Sequence, residues 1–117
     1  MNLLTSLFGS PLPSLNAVEL NEKLKNEKRP LVVDVRQPEE YRTGHIAGSK
    51  LIPLNDLSNH INELPKDKEI ICVCASGSRS QSATKFLVNA GYNAFNMQGG
   101  MFMWQRSQLP VKKGNSA

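Results

Sequence analysis

One segment combines the residue types that a nucleophilic cysteine needs. Cys74–Ser80 (CASGSRS) begins where an apolar run ends and leads into a segment with helical spacing of apolar residues. The unpaired N–H groups of a helix start, the helix dipole and the charge of Arg79 would each stabilise a thiolate. We therefore expect the pKa of Cys74 to lie below its usual value of about 8.5. Gly77 lets the backbone approach a ligand closely, so the segment predicts a cradle that activates Cys74 and holds an anionic adduct.

The second cysteine, Cys72, lies inside the apolar run and is predicted to be a buried structural thiol. A disulfide across the single residue between it and Cys74 would be strained. There is no C-x-x-C motif and there are only two histidines, so we expect no metal site and no cofactor. His45 is expected to fix its own turn by hydrogen bonding rather than to act as a base. Two reduced thiols indicate a cytoplasmic protein.

Short apolar runs bounded by prolines or turn residues predict the strands that position these residues. The two strong runs cover residues 31–35 and 69–73, and the two weaker ones cover 50–54 and 93–97. Helices are predicted between these strands. They are a helix capped by Asn16 and Glu19 that ends before Pro30, a brief helix over 38–42, one over 55–64, one beginning after Arg79, and a terminal helix that contains Met101 and Trp104. The helix after Arg79 is predicted to have an apolar stripe formed by Ala83, Phe86, Leu87 and Ala90.

Strands that alternate with helices predict an α/β domain with a mainly parallel sheet. Ligands of such sheets bind beyond the carboxyl ends of the strands. Both strong strands end in polar residues: Asp34-Val35-Arg36 follows the first, and Cys74–Ser80 follows the second. We therefore expect the site at this edge.

The chain has 117 residues, 39% hydrophobic and 21% charged, which is typical of one globular domain. We place that domain at residues 15–110, with tails at 1–14 and 111–117. The apolar segment Met1–Gly9 lacks a basic region and is shorter than the roughly 20 residues of a membrane span, so we expect a tail or a cap and no membrane. A net charge of +4 would attract small anions. The basic residues are scattered, so nucleic-acid binding is not expected.

Three separated motifs resemble those of the rhodanese-like family. The first is Asp34–Tyr41 followed by Gly44–Ser49, the second is Cys74-x-x-Gly77-x-Arg79-Ser80, and the third is Gly99-Gly100-x-x-x-Trp104. This resemblance implies a central, mainly parallel five-stranded sheet flanked by helices on both faces. It also implies a thiosulfate sulfurtransferase that moves sulfane sulfur by a ping-pong reaction.

In that reaction Cys74 would take the outer sulfur of thiosulfate or a similar donor as a persulfide. Cyanide or a thiol would then remove it, and a partner protein could serve as donor or acceptor. Arg79 would contact the anionic group of the donor, and Asp34 and Arg36 would brace the active loop. The resemblance assigns substrate binding to Ala75, Ser76, Gly77, Ser78, Arg79 and Ser80.

Two alternatives stay open at this point. The domain could be a persulfide carrier that relays sulfur between partner proteins. It could also be a phosphatase or arsenate reductase of the same fold, but those enzymes place the arginine one residue later. Only four residues separate Cys74 from Arg79, and the tighter loop favours sulfur over phosphate.

Overall fold

The computed structural model describes residues 11–117. The expectation for Met1–Gly9 lies outside these residues. Within the described range, the helices are too short or too polar to cross a membrane.

One parallel sheet forms the centre of the described structure. Its five strands are β1 (Ser14–Leu15), β2 (Leu31–Asp34), β3 (Lys50–Leu51), β4 (Ile70–Val73) and β5 (Ala94–Met97). They lie in the order β1-β5-β4-β2-β3, and every pair of neighbours is parallel. The predicted fold class is therefore confirmed. The sequence patterns missed β1, because two residues are too few to show a period.

The helices of residues 11–117 follow the strands. They are α1 (Ala17–Lys23), α2 (Pro38–Thr43), α3 (Leu57–His60), α4 (Ser78–Asn89) and α5 (Gly100–Arg106). The short helix predicted over 55–64 is confirmed in position, since residues 54–63 are helical, but only its middle turn is α-helix and it lies between two short 3-10 segments. The start predicted for α4 is wrong. It begins at Ser78 because Gly77, with φ +102°, forms the cap, and Arg79 therefore lies inside the first turn.

The capping box predicted for α1 is confirmed. Asn16 Oδ1 accepts a hydrogen bond from the Glu19 N–H at 2.8 Å, and Glu19 Oε1 accepts one from the Asn16 N–H at 2.9 Å. Two of the orphan donors at this helix start are thereby paired. The helix ends at Lys23, well before Pro30.

Both faces of the sheet are covered, as a parallel sheet requires. Alternate residues of the central strands point to opposite faces and join two separate cores. One core contains Val33, Cys72, Leu57 and Leu87, and the other contains Val32, Ile71, Leu20 and Trp104. Phe86, predicted to lie on the apolar stripe of α4, is instead 40% exposed.

Described residues from both predicted tails, 1–14 and 111–117, contact the domain. Ser14 belongs to the sheet, and the C-terminal residues bond to the α2–β3 turn. His45 and Lys112 exchange backbone hydrogen bonds of 2.9 and 2.8 Å, and the Gly114 N–H donates to the Arg42 carbonyl at 2.9 Å. Residues 112–114 are thus hydrogen-bonded to the segment that contains Arg42 and His45.

Candidate active site

The carboxyl edge of the sheet brings the second and third motifs together. Cys74 directly follows β4, and the start of α5 packs against the loop behind it. The Met101 N–H donates to the Cys74 carbonyl at 2.8 Å, and the Phe102 N–H donates to the Ala75 carbonyl at 3.0 Å. The active loop is therefore held at its beginning by the otherwise unpaired donors of a second helix.

Hydrogen-bond donors surround the sulfur of Cys74. The Gly77 N–H donates to Sγ at 3.1 Å and the Ser80 N–H at 3.3 Å, and the Ser80 hydroxyl oxygen also lies 3.3 Å from Sγ. The positive φ of Gly77 turns its N–H back toward the sulfur. Of the residues predicted to bind substrate, Gly77 and Ser80 are buried, Ala75 and Arg79 are half-buried, and Ser76 and Ser78 are exposed.

These contacts decide the protonation of Cys74. Burial is the largest single influence and opposes the thiolate. The Ser80 hydroxyl and the N–H groups of Ser80, Gly77 and Ser76 together outweigh burial and lower the pKa of Cys74. The predicted direction is confirmed. The hydrogen bonds of the loop are the leading causes that lower the pKa, and the charges of Arg79 and Cys74 also attract each other.

Cys72 is the opposite case, as predicted. It is fully buried, and burial raises its pKa to about 11, with a hydrogen bond from Thr84 opposing that rise. A thiol with this pKa carries almost no thiolate at neutral pH and is a poor nucleophile. The two cysteines are two residues apart and belong to the same core, but only Cys74, which follows β4, lies in the cradle of donors, and the two thiols therefore differ in reactivity.

Asn96 is a buried polar residue that the sequence analysis missed. It lies on β5, and its Oδ1 is 2.5 Å from the Ser80 hydroxyl oxygen. The hydroxyl thus lies between the amide oxygen of Asn96 and the sulfur of Cys74, and its single proton can be donated to only one of them at a time. The one signal in the sequence was an amide within an otherwise apolar strand (AFNM), which suggests a buried partner.

Glu40 is the second residue that the sequence analysis missed. Both of its carboxylate oxygens accept hydrogen bonds from Arg79, at 2.7 and 2.8 Å. This bond to Arg79 dominates over burial and lowers the pKa of Glu40 to about 2. The guanidinium that was predicted to face the substrate therefore has a fixed anionic partner in the protein.

Asp34 and Arg36 form a buried ion pair with a 2.8 Å contact between Arg36 Nη2 and Asp34 Oδ2. Arg36 also donates to the carbonyls of Gly44, at 2.9 Å, and Glu40, at 3.4 Å. The expected bracing of the active loop is thus indirect. The pair holds the α2 region, and Glu40 on that helix in turn holds Arg79.

His45 fixes its own turn, as predicted. Its Nδ1 lies 2.9 Å from the Tyr41 carbonyl oxygen and its Nε2 lies 2.7 Å from that of Ser116, and its ring stacks on Tyr41. Both ring nitrogens are occupied by main-chain partners, which is the arrangement of a structural histidine.

The fold and the site together define a class: an α/β domain with a cysteine of lowered pKa in a donor-lined loop at the carboxyl edge of a parallel sheet. The family model described as "Rhodanese-like domain" matches residues 16–107. The chain is 32% identical to a protein named "Sulfurtransferase" from Allochromatium vinosum, over 83% of this chain and 92% of that one. It is also 32% identical to "Putative sulfur carrier protein YrkF" from Bacillus subtilis, over 81% of this chain and 52% of that one.

A solved structure agrees with these similarities. The crystal structure of a rhodanese-related protein from Thermoplasma volcanium superposes with a TM-score of 0.80 at 37% identity, over 86% of this chain and 97% of that chain. The chain belongs to the rhodanese-like family. Its similarity to proteins named sulfurtransferases supports sulfur transfer as its general activity.

The role of Ser80 can be tested by the pH dependence of Cys74 alkylation. We expect Ser80→Ala to raise the pKa of Cys74, because the hydroxyl whose proton can turn from Asn96 Oδ1 to the thiolate is lost while burial remains. The alkylation rate should then reach half its maximum at a higher pH, and the rate at lower pH should fall severalfold. Ser78→Ala removes an exposed hydroxyl from the same helix turn and should leave the midpoint unchanged. An unshifted midpoint in Ser80→Ala would contradict the role given to its hydroxyl.

Proposed function

We propose that this protein transfers sulfane sulfur by a ping-pong reaction in which Cys74 carries the sulfur as a persulfide. Thiosulfate or a similar sulfane donor supplies the sulfur, and cyanide or a thiol accepts it. The observation that carries the proposal is the set of donors on Cys74 Sγ from Gly77 and Ser80. They activate the thiolate without a histidine base and remain in place for a charged adduct.

The first half-reaction loads the sulfur. The Cys74 thiolate attacks the outer sulfur of thiosulfate, a new S–S bond forms, and the S–S bond of the donor breaks. Its electron pair leaves with sulfite. The product is a Cys74 persulfide whose negative charge is met by the N–H groups of the active loop.

The second half-reaction returns the enzyme to its starting state. Cyanide attacks the terminal sulfur of the persulfide, a C–S bond forms, and the electron pair of the broken S–S bond returns to Cys74 Sγ. Thiocyanate leaves and the thiolate is restored. Neither half-reaction requires a side chain to move a proton. This agrees with the position of the two histidines, which bond to other groups and not to Cys74.

A second candidate is a persulfide carrier that receives sulfur from one protein and delivers it to another. The similarity to a protein named as a putative sulfur carrier favours it. Phosphatase or arsenate reductase chemistry is less well supported. Only four residues separate Cys74 from Arg79, so the loop is tighter than that of the phosphatases. Arg79 is also hydrogen-bonded to the Glu40 carboxylate rather than free for a phosphate group.

Intact mass measurement and steady-state kinetics test this function. After treatment with thiosulfate and removal of excess reagent, we expect the mass of one extra sulfur atom, located on the peptide that contains Cys74. Cyanide should remove it, and double-reciprocal plots at several cyanide concentrations should be parallel. Loading from a protein persulfide without thiosulfate turnover would favour the carrier. Comparable hydrolysis of an aryl phosphate would overturn both sulfur-transfer candidates.

A further inference from the structure

We propose that Glu40 is a specificity-determining residue: by occupying Arg79 it makes the active site disfavour dianionic sulfur donors and favour persulfides. This inference rests on the proposed function and names the donor class for the same site. It concerns a residue that contacts the active loop through Arg79 rather than through Cys74.

The contact between Glu40 and Arg79 is a bidentate ion pair. Two N–H···O bonds of 2.7 and 2.8 Å join the guanidinium to both carboxylate oxygens. Such a bidentate pair is the strongest arrangement available to these two side chains. Glu40 is itself held, because its Oε1 also accepts from the Gln37 N–H at 3.0 Å and its carbonyl accepts from Arg36. Arg79 therefore cannot turn toward an anion without breaking an anchored contact.

A cleft beside the active loop has no unpaired positive charge among the described residues that line it. This cleft of about 450 Å³ lies between α2 and α5 and reaches the active loop at Ala75. Its charged lining consists of Arg36, Glu39 and Glu40, and Arg36 is neutralised by Asp34. Within the described residues, none of the lysines lines this cleft. The charged side chains that line this cleft therefore sum to a net negative charge, although the whole chain carries a formal net charge of +4.

The charge of the donor is therefore decisive. Thiosulfate carries two negative charges close to the sulfur that reacts, whereas the reacting end of an organic persulfide carries at most one. Repulsion by a carboxylate acts on each charge, and the attraction that would offset it is already satisfied within the protein. The site should accept a persulfide more readily than thiosulfate.

Two small donors isolate this effect. Thiosulfate and methanethiosulfonate both deliver an outer sulfur from a sulfonyl sulfur, and they differ by one negative charge. Attack by Cys74 releases sulfite from the first and methanesulfinate from the second. In ping-pong kinetics, kcat/KM for the donor reports on this half-reaction alone. We expect Glu40→Gln to raise kcat/KM for thiosulfate relative to methanethiosulfonate by about tenfold, the effect of one unit charge at short range.

Matched variants separate this effect from a general one. Glu22→Gln removes the same charge from an exposed ion pair between Glu22, on α1, and Lys25, just after this helix. The ratio of kcat/KM for thiosulfate to that for methanethiosulfonate should stay within about twofold of the wild type. Glu40→Asp keeps the charge and should keep the ratio. Equal changes for both donors in Glu40→Gln would show that Glu40 only orients Arg79 and would overturn the inference.

A measurement on the unaltered protein covers the case in which Glu40→Gln fails to fold. If Arg79 is occupied, added salt should not lower the ratio of kcat/KM for thiosulfate to that for methanethiosulfonate, since no free positive charge attracts the dianion. A steep fall in that ratio would overturn the inference. If neither donor puts sulfur on Cys74 of the wild type, the proposed function itself fails. If both do and the ratio is insensitive to Glu40, only the donor class is wrong.

Discussion

Replacing Cys74 by alanine is expected to abolish sulfur transfer, lowering kcat by at least about a thousandfold, because no other side chain in the cradle can form a persulfide. The donors from Gly77 and Ser80 would remain, but they have no sulfur to activate. The thiosulfate:cyanide assay measures the loss, and intact mass should show no added sulfur after incubation with thiosulfate.

The matched control is Cys72→Ala, which removes the same group two residues earlier. Burial holds this thiol protonated, so it should contribute nothing to turnover. We expect most of the activity to remain and the free energy of unfolding to fall by about 1 kcal/mol, the cost of a small cavity in the core. An extra sulfur found mainly on Cys72, or turnover that survives in Cys74→Ala, would refute the assignment of the nucleophile.

The second large effect is expected at Gly100, where α5 begins. Its φ is +57°, and a Cβ placed there would lie 2.5 Å from the Ala75 carbonyl oxygen and would also clash with the Cys74 carbonyl oxygen. Both obstacles are main-chain atoms of the active loop and cannot move aside as a flexible side chain would. We expect Gly100→Ala to lower the free energy of unfolding by about 3 kcal/mol, from overpacking and backbone strain together.

Activity should fall as well, because the same residue allows the hydrogen bonds from Met101 and Phe102 to the active loop. Gly114→Ala is the control: its φ is +99°, but a Cβ there meets nothing within 4 Å, so it shows the effect of backbone strain alone. Thermal unfolding of the two variants, followed by circular dichroism, makes the comparison. Equal melting temperatures would mean that the contact between α5 and the loop is not tight.

Much of the fold could be predicted from local patterns. The strands β2 and β4 are short β-branched or apolar runs between turn residues, and the cap of α1 follows from the spacing of Asn16 and Glu19. The helix over 55–64 was placed correctly, but local periodicity did not show that its two ends would be 3-10 rather than α-helix. Phe86 had the spacing of a core residue, but no neighbouring element covers it fully.

The candidate nucleophile, Cys74, could be identified from the local sequence alone. A cysteine at the end of a strand, with a glycine and small residues before a helix, predicts a lowered pKa, and local hydrogen bonds from Gly77 and Ser80 produce it. Only the tertiary structure decided what surrounds that loop. Glu40 and Asn96 lie 39 and 16 residues from their partners Arg79 and Ser80. Contacts across such separations depend on how strands order themselves in the sheet, and no local pattern records that order.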